Sequence, residues 1–180
     1  YDVVPSVKVQ IAYYEMYGAP GLKAFEETLR YAAEKGLIVI ADAKRNDIGS
    51  TAACYSAAFL GEAEVEGNAS RAFPADFLTV NAYLGTDGIA PFVDDCKKRD
   101  RGIFVLVKTS NPSSGELQNK LLADGTPVYE YMGALVEKWG EGTEGKYGYS
   151  AVGAVVGATH PEEAARLRKL LPHTFFLIPG

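Results

Sequence analysis

Residues 37–51, LIVIADAKRNDIGST, constrain the fold more than any other stretch. Five apolar residues open it, three of them β-branched (Ile38, Val39 and Ile40), which reads as a strand buried on both faces. An amphipathic helix comes directly before it, over residues 21–35. Leu22, Phe25, Leu29, Ala32 and Ala33 recur on one stripe, while Lys23, Glu26, Glu27, Arg30 and Glu34 face out. Lys35-Gly36 supplies the stop. Residues 3–10, VVPSVKVQ, read as an earlier strand, and IAYYEMYGAPG after it reads as an aromatic turn. The unit is therefore β-α-β, with a crossover long enough for parallel pairing. Its second strand runs into Asp42, Lys44, Arg45 and Asp47, and charge delivered at a strand's carboxyl end is how α/β enzymes build a site.

The alternation continues. Residues 50–60 read as an alanine-rich helix, 61–74 as a polar loop, 77–83 as a strand and 86–98 as a helix. Residues 103–109, IFVLVKT, form a strand that empties into SNPSSGE, whose composition suits a mobile lid or binding loop. A helix follows over 127–139 and a turn-rich linker over 140–150. Residues 151–159 are a strand in which Gly153 and Gly157 mark close backbone approach. Thr159 with Glu162 resembles a capping box, although His160 also fits the N-cap, and Pro161 suits the first turn of the helix. The last strand covers 175–178. No Asn-Gly hairpin signal separates the strands. Two architectures fit: an open doubly wound sheet, or a (β/α)₈ barrel lacking one strand at each end. Neither a dinucleotide fingerprint nor a P-loop is present.

Composition narrows the function. A net charge of -5 without any basic block argues against nucleic acid as a partner. No run of 18 apolar residues marks a membrane helix, and the first residues carry no signal-peptide pattern. Cys54 and Cys96 both fall in helical segments and are expected as buried thiols in a reducing, cytoplasmic compartment. His160 and His173 are far apart and read as cap and surface residues, so metal ligation is weakly signalled.

Asp42 and Lys44 lie two apart on a strand and leave by the same face. Asp47 follows on the turn, and Lys8 on the preceding strand can reach the same space. Alternating signs keep each group ionised, because each neighbour offsets the burial of the next. Carboxylates so paired stay anionic, against a glycosidase-type acid pair. A lysine among carboxylates stays protonated and suits proton donation over Schiff-base attack. Asp42 and Asp47 could hold Mg²⁺, but Lys44 competes for the same oxygens.

The segment D-A-K-R-N-D-I-G-S-T resembles the D-x-K-x-x-D-I-x-x-T signature of the orotidine 5′-phosphate decarboxylase family. VVPSVKVQIAYYEMYG, FLTVNAYLGTDGIAPF, VLVKTSNPSSGE, AVVGATHPEEAARLR and FFLIPG resemble, in order, its second-strand region, fourth strand and helix, fifth strand and pyrimidine-side loop, sixth strand, and the start of its phosphate loop. The resemblance spans nearly the whole chain and is strongest to the longer bacterial-type branch. It implies a TIM (β/α)₈ barrel, present over residues 1–180 as a single partial domain covering roughly strands 2 to 7. It implies decarboxylation of orotidine 5′-monophosphate to uridine 5′-monophosphate in pyrimidine synthesis by a homodimer, with no cofactor and no metal. Lys44 would protonate C6 of the pyrimidine, Asp42 would sit beside the departing carboxylate, and Lys8 would contact the ribose. Asp47 and Thr51 would cross to the partner's ribose. Ile48 would line the pyrimidine pocket and Ser110 would bond the base, with Asn81 and Thr159 as further substrate-binding residues.

Two alternatives stand beside this reading. Related Mg²⁺-dependent sugar-phosphate decarboxylases and lyases share the Asp-Lys-Asp triplet, but use an acidic residue where this chain has Lys8. A non-catalytic α/β binding module is the other. The family's first strand with its ribose-binding aspartate, and its eighth strand with a phosphate-binding arginine, have no counterpart here. The expectation is a segment of a longer polypeptide.

Overall fold

The structure, a computed structural model, describes residues 2–179. It divides into two compact units, one up to Ile103 and one from Phe104 onward. The first holds β1 (Ser6–Gln10), α1 (Ala12–Glu15), α2 (Gly18–Glu34), β2 (Ile38–Arg45), α3 (Gly49–Phe59), β3 (Ala63–Val65), β4 (Asn68–Ser70), β5 (Phe77–Val80) and α4 (Thr86–Arg99). β6 (Gly102–Lys108) begins in the first unit and continues into the second. There a 3-10 turn (Pro112–Glu116), α5 (Val128–Gly140), β7 (Val152–Val156), α6 (Pro161–Leu170) and β8 (Phe176–Leu177) follow. Among the described residues no helix is long and apolar enough to cross a membrane.

In the first unit β2 lies between β1 and β5 and is parallel to both. In the second, β7 lies between β6 and β8 and is parallel to β8. α2 buries Gly21, Phe25, Leu29 and Ala32, as its three- and four-residue spacing requires. Phe25 meets Tyr14 and Phe73 edge-on at centroid distances of 5.4 and 5.5 Å, and Phe59 of α3 lies 5.0 Å from Phe73. Burying each such side chain stabilises the unit by about 1.5–3 kcal/mol. At the amino ends of the strands, Asp76 accepts the Val39 amide at 2.9 Å and pairs with Arg101.

Four local expectations change. The aromatic stretch after β1 is a helical turn, α1, and α2 starts at Gly18 instead of Gly21. The close crossing explains this: a Cβ on Gly21 would stand 1.8 Å from the Tyr14 carbonyl oxygen. Residues 61–74 contain a hairpin, β3 pairing antiparallel with β4. Its turn residues Glu66 and Gly67 have φ of 52° and 77°, so Glu-Gly does the work of Asn-Gly. All six paired residues are exposed, and each strand has only three residues, too few for its apolar alternation to stand out. The capping box is not formed, because His160 is the N-cap of α6 and makes no side-chain cap bond. Cys96 is buried, but Cys54 is exposed on α3.

Candidate active site

Parallel pairing brings the carboxyl ends of β1, β2 and β5 to one edge, and the register sets Gln10 opposite Asp42. Asp42 is only 5% exposed, yet its carboxylate receives four donors. Lys8 Nζ and Gln10 Nε2 donate to Oδ2 at 2.5 and 3.1 Å. Lys44 Nζ and Thr79 Oγ1 donate to Oδ1 at 2.6 and 2.9 Å. A carboxylate offers about four lone-pair sites, so these donors saturate it. Burial pushes the Asp42 carboxyl up. The hydrogen bonds from Lys44, Lys8 and Thr79 outweigh burial and hold it below the usual carboxylate range. The two lysine side chains stay 35% and 45% exposed, so both cations remain open to a ligand.

β2 is irregular at this point. Between Ala41 and Arg45 it advances four residues, while β5 advances two, from Leu78 to Val80. Lys44 sits inside this bulge with φ 50°, the left-handed region that a long side chain rarely adopts. Its amide donates to Thr79 Oγ1 at 3.0 Å. The bulge also separates the charges. Arg45 turns to Glu15 at 2.7 Å and stacks over Tyr55 and Phe59, serving as an anchor away from Asp42.

The structure thus joins Lys8, Asp42 and Lys44 in one bonded cluster. Asp47 is placed on the turn beyond, where its Oδ1 accepts the Ile48 amide at 2.8 Å. Ile48 is 55% exposed at the N-cap of α3, and Thr51 is exposed on the first turn of that helix. Asn81 follows β5; its amide donates to the Arg45 carbonyl, and its Oδ1 accepts the Tyr83 amide at 3.0 Å.

In the second unit Ser110 follows β6, and Gly157 comes so close that a Cβ there would stand 2.8 Å from Ser110 N. Thr159 is exposed in the turn before α6. The loop expected as a mobile lid is tied at its base. Gln118 accepts the Thr109 amide at 2.9 Å and donates to the Thr109 hydroxyl at 2.7 Å. Lys108, 1% exposed, donates to Asn119 Oδ1 at 2.5 Å, pairs with Glu163 at 3.2 Å and lies over the Tyr129 ring.

Gln10, Thr79 and Lys108 escaped the sequence reading. Gln10 carried a signal, since it lies two residues after Lys8 on the same face. Thr79 and Lys108 were polar residues within strands otherwise apolar, a weaker signal of the same kind.

A family model described as "Orotidine 5′-phosphate decarboxylase / HUMPS family" matches residues 2–179. The chain belongs to this family. It is 50% identical over 177 residues to the orotidine 5′-phosphate decarboxylase of Caldicellulosiruptor bescii, and 49% identical over 177 residues to that of Caldicellulosiruptor saccharolyticus. In each case 98% of this chain is covered, but the chain spans only 58% of the relative's length. Among solved structures, Leishmania donovani OMP decarboxylase is similar with a TM-score of 0.80 and 34% identity, over 97% of this chain and 62% of that one. The fold is therefore α/β, a part of the (β/α)₈ barrel of the orotidine 5′-phosphate decarboxylase family, and the open doubly wound sheet is set aside.

Proposed function

We propose that the polypeptide carrying this chain decarboxylates orotidine 5′-monophosphate to uridine 5′-monophosphate, a step of pyrimidine synthesis, without a metal ion. The observation that carries the reading is the buried Asp42 anion held between Lys8 and Lys44. The bond from C6 to its carboxylate breaks, CO₂ leaves, and the electron pair stays on C6. Lys44 Nζ delivers a proton to that carbon and is reprotonated from solvent through its exposed side. The preorganised charges of Lys8 and Lys44 face the developing carbanion, which is where electrostatic catalysis is strongest. Asp42 sits beside the departing carboxylate and fixes Lys44. Lys8 contacts the ribose, Ile48 lines the pyrimidine pocket, and Ser110 bonds the base, with Asn81 and Thr159 as further substrate contacts. Asp47 and Thr51 serve the ribose of a second subunit. The acting species is then a cytoplasmic homodimer, and sedimentation of the polypeptide at twice its chain mass is the expected result.

The saturation of Asp42 by four protein donors speaks against the Mg²⁺-dependent lyase, which needs free carboxylate lone pairs for its ion. Two assays test the proposal. Lys44→Ala should lower the rate of CO₂ release from orotidine 5′-monophosphate by about 10²–10⁴-fold, the range for a lost general acid. An unchanged rate overturns the role of Lys44. Activity should also survive excess chelator, and its loss would return the reading to the Mg²⁺-dependent lyase.

A further inference from the structure

We infer that the Thr79 hydroxyl is the positioning group for the Asp42–Lys44 pair, setting the path along which the Lys44 ammonium approaches substrate. The inference rests on the function proposed above. Thr79 is 1% exposed, in the strand Phe77–Val80, and its hydroxyl makes two bonds. It donates to Asp42 Oδ1 at 2.9 Å and accepts the Lys44 amide at 3.0 Å. It stands opposite the bulge, at the one position of β5 between Leu78 and Val80, where β2 has slipped out of register.

The backbone at Lys44 is left-handed without a glycine to ease it, and such conformations persist only where the surroundings over-determine them. The Thr79 hydroxyl is the side-chain group that meets that requirement from the facing strand. The same oxygen grips the carboxylate that grips the lysine head, so one hydroxyl ties both ends of Lys44: its amide directly, and its ammonium through Asp42. A ladder bond would hold the backbone alone. Around the Asp42 carboxylate the charged groups are Lys8 from β1 and Lys44 from β2, and the neutral donors are Gln10 from β1 and Thr79 from β5. Removing Thr79's hydrogen bond leaves the two cations in place but loosens Lys44 and raises the proton affinity of Asp42.

Thr79→Val keeps the shape and deletes both bonds, whereas Thr79→Ser keeps both. In the polypeptide carrying this chain, Thr79→Val should lower kcat about 10–100-fold, the scale of a catalytic group displaced by about 1 Å, with KM changed far less. The acidic limb of its kcat–pH profile should move to higher pH, and Thr79→Ser should restore both kcat and the limb. An unaltered kcat and limb in a folded Thr79→Val protein overturns the inference, as does a Thr79→Ser variant as impaired as Thr79→Val. Two readouts do not depend on activity. The Asp42 carboxyl, followed by ¹³C NMR, should titrate at higher pH in Thr79→Val than in Thr79→Ser, and equal titration overturns the inference. The Lys44 amide of the unsubstituted protein should exchange slowly with solvent, and fast exchange overturns the inference even if Thr79→Val does not fold. An unsubstituted polypeptide that releases no CO₂ would sink the proposed function and leave these two measurements to decide the hydrogen bonding.

Discussion

Asp42 draws donors from β1, β2 and β5, and two of the four are cations. Lys108 is the converse case, a buried cation met by Asn119, Glu163 and the Tyr129 ring. Removing one partner of a buried ion pair strands the other, which is worse than removing both. Lys108→Met should therefore destabilise the protein by about 3 kcal/mol in urea unfolding. The double variant Lys108→Met/Glu163→Gln should be the more stable of the two by about 1 kcal/mol. Equal stabilities would mean that Glu163 has no share in holding Lys108. Cys96 gives a second test at this scale. Burial pushes its thiol up to about 12, so it holds almost no thiolate at neutral pH. A thiol reagent should leave Cys96 unlabelled in the native protein and modify it after denaturation, as read by peptide mass.

Among the elements, β7 shows how a strand is shaped by what it lacks. A Cβ on Gly153 would stand 2.5 Å from a Phe104 ring carbon and 2.8 Å from the Phe175 carbonyl oxygen. The ring can swing aside, but the carbonyl belongs to the neighbouring backbone. Gly153→Ala should cost about 1–3 kcal/mol, measured from thermal unfolding. Gly157→Ala meets backbone at Ser110 and should also weaken any function that depends on Ser110. β2 shows the complementary device, in which a bulge turns one run of charges into two groups. Strand alternation leads one to expect Asp42 and Lys44 on one face, and their side chains do meet, at 2.6 Å. The slip opposite Thr79 was not readable, because bulges depend on the partner strand. The Glu66-Gly67 hairpin is hard to read for a different reason: its exposed strands are three residues long, too short for their alternation to be told from chance.

For the molecule as a whole, acid is the condition to which it should respond. Asp42 lies in the first unit and Glu137 in the second. Burial pushes the Glu137 carboxyl up, but bonds from the Thr174 hydroxyl and from the His173 amide and ring outweigh that and hold it below its ordinary range. Both carboxylates thus bind protons more weakly folded than unfolded. The stability they contribute is complete above the unfolded carboxylate range, at about pH 4, and is lost as pH falls through the lower folded values. The urea midpoint should fall steeply below about pH 4, and Glu137→Gln should flatten that fall. A pH-independent midpoint there would mean that neither carboxylate is held as described.

Local pattern alone lays out the succession of strands and helices, and it puts Lys8 on β1 and Asp42 and Lys44 in the carboxyl half of β2. Both follow from local periodicities, two residues per strand repeat and 3.6 per helical turn, which a single chain displays wherever one face is buried. Tertiary structure alone decided which partners complete the Asp42 carboxylate, where β2 bulges, that Arg45 turns away, and that Lys108 is buried. Those depend on register and packing between segments far apart in sequence. Lys8 and Asp42 are 34 residues apart and Asp42 and Thr79 are 37, so no local pattern records that their side chains meet.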